Sequence, residues 1–242
     1  MTSDFDLAKA LREWPYQPEQ FDARCVELPD GREVLQVRVE LGLLQMELHG
    51  RPDGCMVDGW PSVLERCRSE HDADPAGFSI SSDTCDAIQA EALQVMRRCM
   101  TLQSMGMFGR VLHDADSILR RMDLCTRFAP KANSTTHLER LRPQSITMRA
   151  RAGAQLALGA GNQAAARTAL DSGLRDLQSC VPAKNFESSP DVQLLRNMHA
   201  LLILRLPASQ RVELETRMQA AIARENFELA AILRDELRQL PD

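Results

Sequence analysis

The stretch TCDAIQAEALQVMRRCMTLQSMGMFGRVLHDADSILRRM, residues 84–122, contains the pattern that decides the fold. Its apolar side chains recur at steps of three and four residues on both sides of Gly106, which is typical of amphipathic helices. The first stripe contains Ile88, Ala92, Val95, Met96, Cys99 and Met100, and the second contains Phe108, Val111, Leu112, Ala115, Ile118, Leu119 and Met122. The sequence therefore predicts two helices joined by a turn at Gly106.

A second helix pair is expected after Pro130 and Pro143. Asn162 is placed to cap the second helix of this pair. Ser189-Pro190 predicts the start of a further helix, because proline is favoured in a first helical turn. The apolar positions of the pair are Ile146, Ala150 and Ala154, then Ala165, Ala166, Ala169, Leu170, Gly173, Leu174 and Leu177.

The two helix pairs resemble tetratricopeptide repeats. The segment Gly106-Met107-Phe108, followed by Val111, Ala115 and Ile118, has the small–aromatic–small rhythm of that family. Gly161, Ala166 and Gly173 repeat the same spacing. The resemblance implies an array of helical hairpins over residues 84–206, an architecture that normally presents a groove for binding.

Strand character is confined to residues 20–60. The runs DARCVEL and EVLQVRVEL flank Pro29-Asp30-Gly31, and an Asp-Gly step between apolar runs indicates a β-hairpin. LGLLQMEL is a candidate third strand, and in the second strand Val34, Gln36 and Arg38 alternate with Leu35, Val37 and Val39, which predicts one buried and one wetted face. Residues 1–62 thus form a small N-terminal α/β element, and 63–83 is predicted as a linker. The expected fold class is α+β, predominantly α, with a small antiparallel β element.

Residues 207–242 predict a hairpin of two helices with Asn226 capping the second. The apolar side chains of that second helix cover roughly half its circumference at about 100° per residue. One antiparallel neighbour cannot cover so wide a face, and a hairpin of about 30 residues is too small to be stable alone. The hairpin is therefore expected to pack on the rest of the chain, a second copy or another protein.

The same residues resemble the UVR motif, the helical hairpin shared by the UvrB and UvrC excision-repair proteins, by regulators of the McsA type and by some Clp-class chaperone ATPases. The resemblance is carried by Leu214, Met218, Ala221-Ile222, Glu225, Phe227-Glu228, Ala230-Ala231, Leu233-Arg234-Asp235, Leu237 and Leu240. It implies an element that pairs with a like hairpin or a partner protein. By resemblance, Phe227 at the bend and the face formed by Met218, Ile222 and Leu233 would make the contact. Arg234 and Asp235 would supply polar interactions at its edge or would brace the hairpin. The full set of expected partner-binding residues is Leu214, Met218, Ile222, Phe227, Ala230, Leu233, Arg234 and Leu237.

The chain departs from the enzymes of that family. It has no GxxxxGK[ST] loop, no recognisable nuclease domain and no CxxC pair. The segment Gly159–Ala164 fits GxGxxA but is flanked by helical sequence, so it is interpreted as a turn between helices. On a helix His113 and Asp114 point about 100° apart, so His113 with Asp114 and Asp116 is interpreted as an exposed polar face. His71 with Asp72 and Asp74 lacks further ligands at regular spacing and is interpreted as a solvated loop. No catalytic, cofactor-binding or metal-binding residue is expected, and the chain is predicted not to be an enzyme.

Composition favours a soluble globular protein, with 44% hydrophobic and 26% charged residues. No apolar run approaches the roughly 18 residues of a membrane span. The acidic opening MTSDFDLAKA is unlike a secretory signal, and seven scattered cysteines without a pair are typical of reduced thiols, so a bacterial cytoplasmic location is expected. The net charge is −5, yet residues 91–209 carry 16 basic and 9 acidic side chains.

Three functions follow as hypotheses. The favoured one is a non-catalytic adaptor whose hairpin self-associates or recruits a protein. A second is an accessory factor of nucleotide excision repair that contacts nucleic acid through the basic middle, although aromatic residues for base stacking make up only 4% of the chain. A third is a regulator of a Clp-type protease or chaperone. The phosphate contacts of the second would be Arg97, Arg98, Arg120, Arg121, Arg127, Lys131, Arg140, Arg142, Arg149 and Arg151.

Overall fold

The computed structural model describes residues 7–130, 136–204, 208–223 and 226–238, with most of their side chains. It confirms an α+β fold that is mostly helical, with a three-stranded antiparallel sheet near the N-terminus. The elements are α1 (Leu7–Glu13), β1 (Ala23–Glu27), β2 (Glu33–Val39), β3 (Gly42–Glu47), α2 (Val63–Ala73), α3 (Ser82–Ser104), α4 (Phe108–Phe128), α5 (Thr136–Glu139), α6 (Arg142–Gly159), α7 (Gln163–Cys180), α8 (Ala183–Phe186), α9 (Pro190–Leu204), α10 (Ala208–Ala223) and α11 (Phe227–Arg238).

The chain divides into two compact units, and the boundary between Gly153 and Ala154 falls inside α6. It therefore lies within the segment 84–206, which the sequence pattern treats as one array. The first unit contains the sheet and the long helices α3 and α4. In the second unit, α7 packs against α9, and α10 packs against α11.

The β-hairpin forms where Asp30-Gly31 predicts it. Gly31 adopts a φ of 80°, a left-handed conformation that glycine reaches without a steric penalty. The turn is closed by the Leu28 amide, which donates to the Arg32 carbonyl oxygen at 2.8 Å. β2 is the central strand and pairs Leu35 with Cys25 on one side and with Met46 on the other.

The prediction that one face of β2 is exposed to solvent is wrong, because Gln36 and Arg38 on that face are buried as well. Gln36 accepts two hydrogen bonds from Arg24, at 3.0 and 3.1 Å, and donates to Gln45 at 3.0 Å. Arg38 donates to the carbonyl oxygen of Trp14 at 2.7 Å. The segment after α1 therefore covers this face, and each buried polar group retains partners that replace water.

The structure also differs from the predicted linker over 63–83, since this segment contains α2. Ser62 caps this helix by accepting a hydrogen bond from the Glu65 amide at 3.1 Å. The apolar side chains of Val63, Leu64 and Cys67 are buried. This short stripe is easily missed in sequence because charged residues surround it.

The α3 and α4 pair forms as predicted, with Gly106 at a φ of 72° in the turn. Most of the two predicted stripes are buried in the interface, although Met100 remains about half exposed. The fully covered members are Ile88, Ala92, Val95, Cys99, Val111, Ala115, Ile118 and Met122. No helix in the described part of the chain is both long enough and apolar enough to cross a membrane.

Candidate functional site

The C-terminal hairpin is built from α10 and α11, with Asn226 at the bend. The Asn226 amide donates to the Ala221 carbonyl oxygen at 2.9 Å and so closes the end of α10. The Asn226 side chain accepts from the Leu229 amide at 3.1 Å, which caps the start of α11. This confirms the predicted cap.

A small apolar core lies between the two helices of the hairpin. Ala221, Ala230 and Leu233 are at most 8% exposed, and Leu214 and Met218 pack against them. The two alanines allow the helix backbones to approach closely. Four of the expected partner-binding residues, Leu214, Met218, Ala230 and Leu233, are therefore brought together inside the hairpin.

The remaining expected residues lie elsewhere. Ile222 is 44% exposed. Leu229, which is not among the expected contact residues, is 40% exposed. Arg234 is exposed and Leu237 is partly buried. Phe227 begins α11, but its side chain lies outside the described part of the chain. Ile222 and Leu229 flank the bend, so the hairpin presents aliphatic surface at that end.

The basic middle of the chain contains two buried ion pairs between α3 and α4. Arg98 donates to both carboxylate oxygens of Asp114 at 2.7 and 2.8 Å. Arg121 donates through Nε and Nη2 to Glu91, and the Nε distance is 3.1 Å. The second carboxylate oxygen of Glu91 accepts from the Val63 amide at 2.9 Å. All four charged residues are at most 3% exposed.

The spacing of these four residues explains the arrangement. Glu91 and Arg98 are seven residues apart on α3, and Asp114 and Arg121 are seven apart on α4. Seven residues make two helical turns, so in an antiparallel pair each acid faces the other helix's base. The sequence pattern assigned Arg98 and Arg121 to a phosphate-binding stripe, and the two ion pairs were missed. The signal that could have predicted them is that each helix carries one acidic and one basic residue, seven positions apart, beside its apolar stripe.

Two further arginines of that stripe are also engaged with carboxylates. Arg142 contacts Glu139 at 2.6 Å and Asp123 at 2.8 Å, and Arg149 contacts Asp116 at 3.4 Å. The hydrogen bond from Arg142 holds the pKa of Glu139 below its usual range. Four of the ten proposed phosphate contacts are thus occupied by acidic side chains of the same chain.

The histidine candidates have different surroundings. His71 lies in the last turn of α2, and its ring contacts Phe78 and Phe128 with centroid distances of 5.3 and 5.2 Å. His113 is exposed on α4. Among the described residues, no group of three or more histidine, cysteine, aspartate or glutamate side chains is arranged to hold a metal ion.

The cysteines are unpaired and most of them are buried. Burial raises the pKa of Cys99 to about 12 and that of Cys125 to about 12, and it also raises the pKa of Cys67. A thiol with so high a pKa stays protonated near neutral pH and is a poor nucleophile. These three side chains fill the core.

Comparison with known proteins identifies the hairpin. A family model described as the UvrB/uvrC motif matches residues 209–240, a range that includes most of α10 and all of α11. The C-terminal segment therefore carries this motif, as its residues suggest. No curated protein and no solved structure matches the chain. The tetratricopeptide resemblance of the central helices stays a prediction.

Proposed function

We propose that this protein is a non-catalytic adaptor whose C-terminal hairpin mediates self-association or recruits a partner protein. The observation that carries the proposal is the aliphatic surface of Ile222 and Leu229 beside the bend of a UVR motif. Exposed aliphatic side chains favour association, because burying them releases about 25 cal/mol per Å² of apolar surface. The free thiols suit a reducing compartment, so we place this interaction in the bacterial cytosol.

The internal construction of the hairpin supports the same proposal. Its described core consists of Ala221, Ala230 and Leu233, with Leu214 and Met218 at the edge. Two alanines and three larger side chains supply little burial for an element of this length. Additional burial against a second hairpin would therefore stabilise the element as well as join the molecules.

The test is a double variant, Ile222→Glu with Leu229→Glu, because glutamate keeps helix propensity while removing apolar surface. Leu201→Glu is the matched control, since Leu201 is also exposed, at 57%, but lies on α9. Light scattering over a concentration series measures self-association, and pull-down from the native cell measures recruitment. The double variant should lose both, whereas the control should match the wild-type chain.

A second variant, Phe227→Asp, tests the residue that the family resemblance places at the contact. We expect it to leave the circular dichroism of the chain unchanged and to abolish association. Unchanged mass and unchanged pull-down in both the double variant and Phe227→Asp would show that the hairpin is not the interaction site.

Contact with nucleic acid remains the alternative proposal, and the exposed Arg97, Arg127 and Arg140 favour it. It requires DNA binding that weakens steeply as the salt concentration rises. Absence of binding at about 50 mM salt, where phosphate contacts are strong, would remove this alternative. Regulation of a Clp-type protease or chaperone would instead appear as capture of such a complex through the hairpin.

A further inference from the structure

A recess of about 200 Å³ lies in the first unit, between α2, α3 and α4 and beside the turn at Gly50. Its inner wall contains Arg98 and Arg121. Arg98 directs its three nitrogens to Asp114 and to the carbonyl oxygens of Glu47 and Gly50. Arg121 directs its nitrogens to Glu91 and to Ser117. The two buried arginines are thus rigid parts of the wall.

The outer wall carries two guanidinium groups and an imidazole that are exposed to solvent. Arg68 on α2, Arg120 and His113 on α4 all line the recess and are exposed. Within the described part of the chain, none of these three side chains makes a hydrogen bond or an ion pair. Two guanidinium groups from different helices therefore line one small volume, and Glu65 is the carboxylate among its described lining residues.

Two hydroxyl groups in the same recess add further donors. Ser62 Oγ accepts from the Glu65 amide, and Ser117 Oγ accepts from Arg121. Each hydroxyl uses a lone pair in these contacts and retains its own proton for donation. Ser62 is itself buried, at 5% exposed, so the local backbone holds its position firmly.

We propose that this recess binds a small anion that bears a phosphate group. The planar fork of arginine matches the oxygens of phosphate, and two such forks with two hydroxyl donors suit a tetrahedral group. The volume lies below the about 300–1,000 Å³ of sites for drug-sized ligands, which limits the ligand to the phosphate and a short substituent. Free phosphate and a phosphate monoester share this chemistry.

Glu65 also lines the recess and provides a sharp test of the charge argument. Its carboxylate repels a bound anion, so Glu65→Gln should strengthen phosphate binding by about two- to fivefold. Glutamine preserves the capping position three residues after Ser62, so α2 should remain intact. If phosphate only screened surface charges without binding in the recess, the apparent affinity would not depend on the single side chain of Glu65.

The experiment uses the full chain and follows the imidazole proton signal of His113, assigned with His113→Gln, at constant pH and ionic strength. Inorganic phosphate and glycerol phosphate are titrated separately, with acetate as the comparison anion. The His199 signal is the internal control, because His199 lies in the second unit. We expect a saturable shift of the His113 signal with both phosphate compounds and not with acetate. Tighter binding of glycerol phosphate would identify an organic phosphate, and equal binding would identify free phosphate.

Arg68→Gln combined with Arg120→Gln should weaken this binding by about tenfold or more, because two charge-assisted hydrogen bonds are lost. Arg97→Gln is the matched control, since Arg97 is an exposed arginine on α3 that does not line the recess. Circular dichroism verifies that all variants are folded. The proposal is overturned by a linear, non-saturable shift, by an equal response to acetate, or by unchanged binding in the double variant.

Discussion

Arg98 and Asp114 form a buried two-pronged ion pair, with Nε 2.8 Å from Oδ2 and Nη2 2.7 Å from Oδ1. The remaining guanidinium nitrogen of Arg98 donates to the carbonyl oxygens of Glu47 and Gly50 at 2.8 and 3.0 Å. One side chain thereby joins α3, α4 and the end of β3. Because both charges are out of water, each depends on the other for its stabilisation.

Asp114→Ala should lower the free energy of unfolding by about 3–5 kcal/mol, because it leaves the Arg98 charge buried without its carboxylate. Urea unfolding followed by circular dichroism measures this loss. Arg98→Met combined with Asp114→Leu removes both charges and should be less destabilising than Asp114→Ala alone. A loss of under about 1 kcal/mol for Asp114→Ala would contradict a paired, desolvated charge.

Asn226→Ala should destabilise the hairpin by about 1 kcal/mol, because the amide of Leu229 loses its acceptor at the start of α11. Hydrogen exchange of amides in the first turn of α11 measures the local effect. Asn162→Ala is the comparison variant, since Asn162 caps α7 by accepting from the Ala165 amide at 2.9 Å. Asn162→Ala should raise the exchange rates of amides in α7 and leave those in α11 unchanged. Equal changes in the α11 exchange rates in both variants would argue against a local capping effect.

The cysteines should react with iodoacetamide in two classes. Cys25 and Cys55 are exposed and should be modified first in the folded chain at neutral pH. Cys99 and Cys125 should stay unmodified until the chain unfolds, because burial raises the pKa of each to about 12 and blocks the reagent. Mass spectrometry of digested samples identifies the sites. Early modification of Cys99 would show that α3 and α4 separate readily.

The ionised carboxylate of Asp53 should make the free energy of unfolding depend on pH in the acidic range. Its carboxylate accepts two hydrogen bonds from Arg51, one from Gln94 and one from the Cys55 amide, and the Arg51 contact contributes most to holding the pKa of Asp53 far below its usual value of 3.8. A depressed pKa in the folded state stabilises the fold above the unfolded pKa, and this contribution is lost as the pH falls through the folded value.

The stability difference between the wild-type chain and Asp53→Asn should therefore be largest near neutral pH and shrink as the pH is lowered from about 5 to about 2. Thermal unfolding at several pH values measures this difference. Asp58→Asn is the control, because Asp58 lies in the same region, is mostly exposed and, among the described residues, forms an ion pair only with Arg66, at 3.4 Å. A pH-independent difference for Asp53→Asn would mean that its carboxylate is not held by Arg51.

Several local features could be predicted from sequence because the causes are local. The helical period of α3 and α4, the caps at Asn162 and Asn226, and the Asp30-Gly31 turn each depend on residues a few positions apart. The predicted exposed face of β2 failed because the Trp14 carbonyl binds Arg38 from a distant part of the sequence, while Arg24 and Gln45 on the adjacent strands bind Gln36. An alternating pattern shows which residues share a face, but it does not show what packs on that face.

The amino-acid order alone determined the helical character of α3, α4, α6 and α7, the β-hairpin and the identity of the terminal hairpin, since periodicity, capping and a short motif all depend on residues close together in the sequence. Tertiary structure alone decided which charged residues are buried in ion pairs and which apolar residues remain exposed. It buried Arg98 and Arg121 in ion pairs, left Arg68 and Arg120 around a recess, and buried Ala230 and Leu233 while exposing Ile222. The physical reason is that the desolvation and pairing of a side chain depend on which distant segments pack against it. The residues next to it in the sequence do not specify those segments.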